Sequence, residues 1–286
     1  MQTSQAPEKW DLTIKPQNSL FNLHLQDVWR YRDLLLLLVR RDFVSFYKQT
    51  ILGPLWFFIQ PLFTTLMYVF IFGNLAGFST DGLPQPLFYM TGIIAWNYFA
   101  DCLTKTSTVF KDNANIFGKV YFPRLIMPIS IVLSSLVRLG VQFILLLLTM
   151  CYFALFKNYH FAWSVYLFLL PVFILLLAIL GLGLGMLFSA LTTKYRDLAF
   201  LLTFGVQLLM YATPIIYSLD GAAEKFKDII QYNPLTSIIE GVRLGLLGKG
   251  TVTNFGILYT LFFTFLSLIV GVVIFNKVEK TFVDTV

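Results

Sequence analysis

The sequence predicts an all-α polytopic membrane protein with six transmembrane helices, and three observations carry this prediction. First, 57% of the 286 residues are hydrophobic, only 13% are charged, and the mean hydropathy is +0.75. A chain this apolar cannot cover itself with polar side chains as a soluble domain must. Second, the apolar residues form segments of about 20 residues or more, the length that a helix needs to cross the hydrocarbon core. Third, most cations lie at the ends of these segments.

The apolar segments fix the predicted topology. The six spans are Leu52–Phe72, Leu87–Thr106, Leu125–Phe156, Phe161–Leu191, Leu198–Tyr217 and Phe255–Phe275. The third and fourth exceed the length needed to cross, so we expect them to tilt or to project beyond the membrane. With the N-terminus inside, 14 of the 21 Lys and Arg residues fall on cytoplasmic pieces and five on outer pieces. The positive-inside rule therefore predicts that both termini are cytoplasmic.

The chain divides into a tail, an amphipathic helix and a membrane domain. Residues 1–24 contain no apolar run of signal-peptide type and are expected to form a polar cytoplasmic tail. In residues 25–50, apolar side chains recur at the spacing of one helix face while five cations lie mostly off that face. Such a helix lies flat in the headgroup region of the anionic leaflet, as an interface helix or a plain juxtamembrane anchor. Residues 51–286 form the membrane domain.

Two connections between spans carry structure of their own. On the cytoplasmic side, residues 107–128 mix charges with aromatic and aliphatic residues, which predicts a short amphipathic helix that contacts another protein, the membrane or the chain's own spans. On the outer side, Asn233 and Gly248 have the helix-capping chemistry that bounds a helix over Pro234–Leu247. That helix is about 21 Å long, too short to span, so it is predicted to be re-entrant or interfacial.

Two glycine-containing stretches do not have the spacing of nucleotide-binding loops. LLGKGT at 246–251 differs from a phosphate-binding loop in two ways: Gly250, rather than Ser or Thr, follows the lysine, and the first glycine of the motif is missing. GLGLGMLFS at 181–189 lacks the last glycine of a dinucleotide-binding fingerprint. Gly181, Gly185 and Ser189 instead form a stripe of small residues that lets another helix approach closely, within one chain or between two. No ATP site is therefore predicted in this chain.

Catalytic, metal-binding and nucleic-acid-binding patterns are not recognised either. The two histidines, His24 and His160, are far apart and match no metal or nucleophile spacing, so no catalytic residue, metal or cofactor is predicted here. The net charge of +6 comes from cations at span ends rather than from a basic face with exposed aromatics, which argues against nucleic acid as a partner.

Charged residues inside apolar spans are costly in lipid and usually face protein or water. Asp101 and Lys105 are four residues apart and are expected to pair on one helix face, as Glu240 and Arg243 are at a spacing of three. Arg138 lies near the middle of the third span. A structural ion pair and a role in lining a site for an anionic ligand are both open for these charges.

Seven short motifs follow one another in a fixed order. They are RRDF at 40–43, LGPLW at 52–56, QPL at 60–62, GKVYFPR at 118–124 with Pro128, YRDL at 195–198, TPIIY at 213–217 and YNP at 232–234. Each motif is weak alone. Their order within a six-span frame resembles the membrane subunit of type-2 ATP-binding-cassette exporters that move polysaccharides such as lipid-linked O-antigen, capsule or teichoic acid.

The resemblance implies an assembly in the bacterial cytoplasmic membrane. It implies a homodimer of this chain, surrounded by membrane lipids, with two copies of a separate cytoplasmic ATPase that holds ATP and Mg. Residues 109–122 correspond to the loop that docks on the ATPase, and residues 220–250 to outer gate helices. The predicted coupling residues are Asn115, Ile116, Phe117, Lys119 and Arg124.

The resemblance also implies a path for a lipid-linked glycan. Its phosphates would meet Arg41 and Arg138, beside Asp101, and its sugars would stack on aromatic walls near the outer side. The aromatic candidates are Tyr211, Tyr217 and Tyr232, which also suit an interfacial aromatic belt. Two other functions stay open: a permease of the same type for a drug or small lipid, and an intramembrane glycosyl- or acyltransferase.

Overall fold

A computed structural model of the chain describes residues 25–48, 50–117, 119, 122–162, 164–222 and 224–282. The predicted tail, residues 1–24, lies outside them. Within the described residues the chain forms twelve α-helices and no strand. They are α1 Leu25–Arg30, α2 Arg32–Tyr47, α3 Trp56–Tyr68, α4 Gln85–Ser107, α5 Val109–Asp112, α6 Ala114–Phe117, α7 Ile126–Phe156, α8 Leu170–Lys194, α9 Leu198–Tyr211, α10 Glu224–Gln231, α11 Pro234–Leu247 and α12 Asn254–Phe282.

Four helical stretches in the described part of the chain are long and apolar enough to cross a membrane. They are Gly53–Leu75, Ile126–Phe156, Leu170–Lys194 and Asn254–Glu279. The first stretch combines a 3-10 turn, α3 and a π-helical segment, Val69–Leu75. These four match the first, third, fourth and sixth predicted spans, so the all-helical, multi-pass membrane fold is confirmed.

The second and fifth predicted spans are not among these four stretches. The second lies on α4, which has 23 residues and is buried along most of its length. The fifth lies on α9, which has only 14 residues and measures about 21 Å as a helix, less than the hydrocarbon thickness. A count of six crossings therefore stays a prediction.

Local backbone chemistry explains where two spans differ from their predicted bounds. The predicted fourth span begins at Phe161, but α8 begins only at Leu170, after a 3-10 turn over Val165–Leu167 whose N-cap is Ser164. The predicted fifth span reaches Tyr217, but α9 ends at Tyr211. Pro214 has no N–H and disfavours helical backbone in the residue before it, so the chain turns there instead of continuing the helix.

Helix α8 lies at the centre of the bundle and packs most extensively against α4 and α12. A Cβ on Gly181 would lie 2.7 Å from Cys102 Cβ, and one on Gly185 would lie 2.6 Å from Thr106 Cβ. The small-residue stripe therefore packs within the chain, where it brings α4 and α8 into backbone contact. Half of the most apolar part of α8 is buried within the chain, against 17% of the most apolar part of Gly53–Leu75.

The amphipathic segment near the N-terminus packs on the bundle through its apolar face. The amphipathic helix predicted within residues 25–50 is interrupted at Tyr31, which lies between α1 and α2. Leu38 of α2 is 4% exposed and belongs to a buried cluster with residues of α5, α7 and α12. Leu36 and Leu37, on other faces of α2, are 64% and 61% exposed.

Candidate functional site

The connection between α4 and α7 forms two short helices with an aromatic inner side. Phe110 of α5 is fully buried and stacks on Phe275 of α12, with ring centroids 4.7 Å apart. Phe117 of α6 packs on Phe110 and on Phe122, with centroids 5.8 Å apart in each pair. The predicted short amphipathic helix is therefore present as α5 and α6, and its aromatic side packs on the chain's own spans.

The five predicted coupling residues divide into an exposed edge and a buried anchor. Asn115 and Lys119 are exposed and Ile116 is half-buried, whereas Phe117 is only 8% exposed. Arg124 Nη1 donates to the Glu279 carbonyl oxygen of α12 at 2.6 Å, and its guanidinium lies 5.5 Å from the centre of the Phe117 ring. Arg124 and Phe117 therefore hold the connection to α12, and the exposed edge carries the residues that another protein can reach.

A cluster of charges joins α4 and α7. Asp101 Oδ2 accepts a hydrogen bond from Arg138 Nη1 at 2.6 Å and lies 3.1 Å from Lys105 Nζ. The predicted pairing of Asp101 with Lys105 is confirmed. The approach of Arg138 is a contact between helices, and its guanidinium also lies 5.7 Å from the centre of the Phe57 ring of α3. The Asp101 carboxylate thus forms ion pairs with both Lys105 and Arg138.

Arg41, the other predicted phosphate ligand, is linked to this cluster through its neighbour. Its guanidinium donates to Asp42 Oδ1 at 2.8 Å, and Asp42 Oδ2 accepts from Ser134 Oγ at 3.3 Å. Asp42 lies on the wall of a cavity of about 320 Å³ that also touches Lys105 and Arg138, whereas Arg41 does not line it. Sequence reasoning missed Asp42 and Ser134; a pair of serines one turn before Arg138 in an apolar span was the available signal.

At the other end of α4, helix α11 is capped as predicted. The Asn233 side chain accepts a hydrogen bond from the Leu235 N–H, Pro234 occupies the first turn, and Gly248 ends the helix with φ +72°. Asn233 Nδ2 also donates to Thr213 Oγ1 at 2.8 Å, which ties the start of α11 to the turn after α9.

Arg243 of α11 is 1% exposed and joins α11 to the start of α4 and to the turn after α9. These three segments, with the loop that follows α11 up to Thr251, are called the α11 unit below. Its Nη1 donates to Glu240 Oε1 at 2.8 Å, which confirms the predicted pair, and to the Pro214 carbonyl at 2.5 Å. Its Nη2 donates to the Ile215 carbonyl at 2.9 Å, and its guanidinium stacks 3.7 Å from the centre of the Phe88 ring of α4. Burial raises the pKa of the Glu240 carboxyl, and the charge of Arg243 opposes that shift.

The three predicted tyrosines lie near this unit. Tyr217 and Tyr232 line an open cavity of about 680 Å³ whose walls are mostly apolar, and Tyr217 OH donates to the Tyr211 carbonyl at 3.2 Å. Tyr211 and Tyr232 are each 59% exposed. The start of α4 packs beside this unit, since Arg243 stacks on Phe88. Asp101 lies 13 residues further along α4, which places the charge cluster about 20 Å away along the helix axis.

The candidate residues form no metal site: among the described residues, no group of three or more His, Cys, Asp or Glu side chains can hold a metal ion.

Comparison with known proteins places the chain in a family. Residues 33–247 match the model of the ABC-2 type transporter family. The chain is 32% identical over 253 residues to the O-antigen export system permease protein RfbA of Klebsiella pneumoniae, covering 88% of this chain and 94% of that protein. It is 28% identical over 220 residues to RfbA of Myxococcus xanthus, covering 75% and 80% of the two chains. It is 23% identical over 243 residues to the polysialic acid transport protein KpsM of Escherichia coli, covering 80% and 87%. The chain belongs to the ABC-2 type transporter family.

Proposed function

We propose that this chain is the channel-forming membrane subunit of an ATP-driven exporter that moves a lipid-linked polysaccharide, of O-antigen or capsule type, across the bacterial cytoplasmic membrane. The observation that carries the proposal is the similarity to an O-antigen export permease over 88% of the chain. The charge cluster at Asp101 and the unit beside the tyrosines lie about 20 Å apart along α4, which agrees with a substrate that carries phosphates at one end and sugars along its length.

The proposed topology has six crossings with both termini in the cytoplasm. Helix α4 packs against α3, α7, α8, α9 and α11, so its polar side chains meet protein rather than lipid. Helix α9 is too short to cross alone, but Asn233 and Arg243 form hydrogen bonds that link the turn after α9 to α11. In the proposed topology, α9 and this turn together complete the fifth crossing. Helices α10 and α11 then form the outer gate.

The proposed assembly is a homodimer with two copies of a separate ATPase that binds ATP and Mg. The exposed edge at Asn115, Ile116 and Lys119 is the docking surface for the ATPase. Closure of the ATPase dimer on ATP would push this edge. Because Phe110 stacks on Phe275, that push would reach α12 and, through it, the central helix α8.

Two other functions make different demands on the site. A permease for a drug or small lipid is the second candidate, favoured by the apolar walls of the outer cavity. An intramembrane glycosyl- or acyltransferase would need an acid or base ready to act on substrate. Asp101 is held between two cations and Glu240 is bound to Arg243, so neither acid is suited to that role.

Deletion of the gene in its source bacterium separates these functions. We expect surface polysaccharide, detected on intact cells by antibody or lectin, to disappear while the lipid-linked glycan accumulates inside the cells. A plasmid copy of the gene should restore the surface signal. Unchanged surface polysaccharide together with altered drug sensitivity would instead identify the second candidate.

A further inference from the structure

Residues 248–251 lie where three connections of the chain meet, at the end of the bundle that holds the α11 unit. They belong to the LLGKGT stretch, which does not have the spacing of a nucleotide-binding loop, and they are called the clasp below. The connection between α7 and α8 packs against Gly248, where an added Cβ would lie 2.8 Å from Ala162 Cβ and closer still to the Ala162 carbonyl oxygen. A larger residue at Gly248 would therefore push the clasp away from this connection.

Side chains of the clasp reach the other two connections. Lys249 Nζ donates a hydrogen bond at 2.5 Å to the carbonyl oxygen of Asp81, in the connection between α3 and α4. Thr251 Oγ1 donates at 3.2 Å to Oδ2 of Asp220, in the segment between α9 and α10. One short stretch of chain thus joins the α3–α4 connection, the α7–α8 connection and the segment that leads into α10.

The backbone of the clasp is fixed to α11. An added Cβ on Gly250 would lie 2.5 Å from the Glu240 carbonyl oxygen, and the Thr251 N–H donates to Glu240 Oε2 at 3.1 Å. Glu240 is in turn bound to Arg243, and both side chains are buried. When this end of the protein changes shape, we therefore expect the clasp to move together with α11.

The side-chain contacts of Lys249 and Thr251 are the weaker ones at this junction. Both hydrogen bonds lie at the exposed surface, so water can replace each partner when the bond breaks, and the net loss is small. Separating Glu240 from Arg243 would instead leave a charge buried without its partner. A conformational change at this end of the bundle would therefore break the two side-chain contacts of the clasp first.

Two walls of the open cavity of about 680 Å³ depend on these contacts. The α3–α4 connection contributes Phe78 to the cavity, and α10 contributes Phe226 and Ile229. Phe226 and Ile229 are 52% and 69% exposed, so little packing within the chain opposes a movement of α10. The Lys249 contact ties the first wall to α11, and the Thr251 contact ties the second. Breaking both contacts would let the two walls move away from α11 and widen the cavity.

We propose that the clasp holds the walls of this cavity together at rest, and that its Lys249 and Thr251 contacts break when substrate leaves the protein. The inference rests on the proposed export function, in which this end of the bundle is the outer one. Exposed hydrogen bonds are weak enough to break and form again in each transport cycle, while the buried pair keeps α11 in place.

The first test fixes the clasp in its closed position. Asp220→Cys and Thr251→Cys are combined in a Cys151→Ser background, because Cys151 is the exposed native cysteine and Cys102 is buried. A short, reducible bifunctional thiol reagent joins the two new cysteines, since the native side-chain oxygens are 3.2 Å apart. Appearance of new polysaccharide on the cell surface should be lost on crosslinking and should return when a reductant is added. The reagent should not alter export by either single-cysteine variant.

The second test opens the clasp and does not require export. Lys249→Met and Thr251→Val together remove both side-chain contacts and keep the Thr251 N–H. Ser218→Cys is the probe, because Ser218 lines the cavity and is 1% exposed. In the purified complex without ATP, the probe should react about fivefold faster with a polar maleimide when both hydrogen bonds are absent. Lys157→Met removes an exposed cation from the α7–α8 connection and should leave the labelling rate unchanged.

The outcomes separate the clasp from the export function. Normal export by the crosslinked variant, with the crosslink verified by mass, would show that the contacts need not break and would overturn the proposal. Equal labelling of the probe with and without the two contacts would overturn it as well. Surface polysaccharide that is unchanged when the gene is deleted would count against the export function instead, and the labelling rates would still decide whether the clasp holds the cavity.

Discussion

The ion pair between Glu240 and Arg243 should dominate the stability of the α11 unit. We consider Arg243→Met, which keeps the volume of the side chain and its contact with the Phe88 ring but removes the charge. Among the described residues, Glu240 then keeps one hydrogen-bond partner in its buried position, the Thr251 N–H at 3.1 Å. Removing one partner of a buried ion pair lowers the free energy of unfolding by about 3–5 kcal/mol. Glu240→Met should lower it by about as much, because Arg243 is then left buried without its carboxylate.

The double variant separates this effect from a general loss of packing. With both charges removed, the cost that remains comes from the unpaired carbonyls of Pro214 and Ile215 and the Thr251 N–H. Allowing for partial rearrangement, this amounts to about 2 kcal/mol. The double variant should therefore be more stable than either single variant, which is the sign of coupled residues.

The assay is unfolding of the purified protein by SDS in mixed micelles, followed by the fluorescence of its five tryptophans. Lys249→Met is the matched control. It removes an exposed cation of the same unit, whose Nζ donates to the Asp81 carbonyl at 2.5 Å, and should cost less than about 1 kcal/mol. A double variant less stable than both single variants, with costs that add, would refute the coupling.

Three further variants test other parts of the account. Gly185→Leu should destabilise the protein by about 2 kcal/mol or more, because its Cβ would lie 2.6 Å from Thr106 Cβ. Gly140→Leu should be tolerated, since no atom of the described residues lies within 4 Å of a Cβ there, and size-exclusion profiles in detergent distinguish the two variants. Asn233→Ala should cost about 1 kcal/mol through loss of the α11 cap, measured by the same SDS titration, and no change would contradict the capping role. Lys119→Glu, on the exposed edge, should reduce co-purification of the ATPase without changing the yield of this chain, and undiminished co-purification would place the docking surface elsewhere.

Sequence reasoning predicted the features that depend on neighbours within one helix. The pairs Asp101–Lys105 and Glu240–Arg243 follow from helix geometry, because residues three or four apart share a face. The bounds of α11 followed from the chemistry of Asn233, Pro234 and Gly248, which acts on the adjacent backbone.

Contacts between helices could not be predicted from the sequence in this way. Nothing in the spacing of residues says that Arg138 reaches Asp101, 37 positions earlier, or that Arg243 binds the Pro214 and Ile215 carbonyls. Spans that are apolar all round give little indication of which face meets which neighbour. The burial of Phe117 was uncertain for the same reason, since an aromatic residue in a connecting loop suits either a partner or the chain's own core.

The mass of the intact complex tests the central proposal most directly. The chain would be expressed with its chromosomal neighbours, purified in detergent and analysed by native mass spectrometry. The account predicts two chains of 32.8 kDa together with two copies of an ATPase. A chain that carries no ATPase while the neighbouring genes are expressed would contradict the proposal that this protein is the membrane half of an ATP-driven exporter.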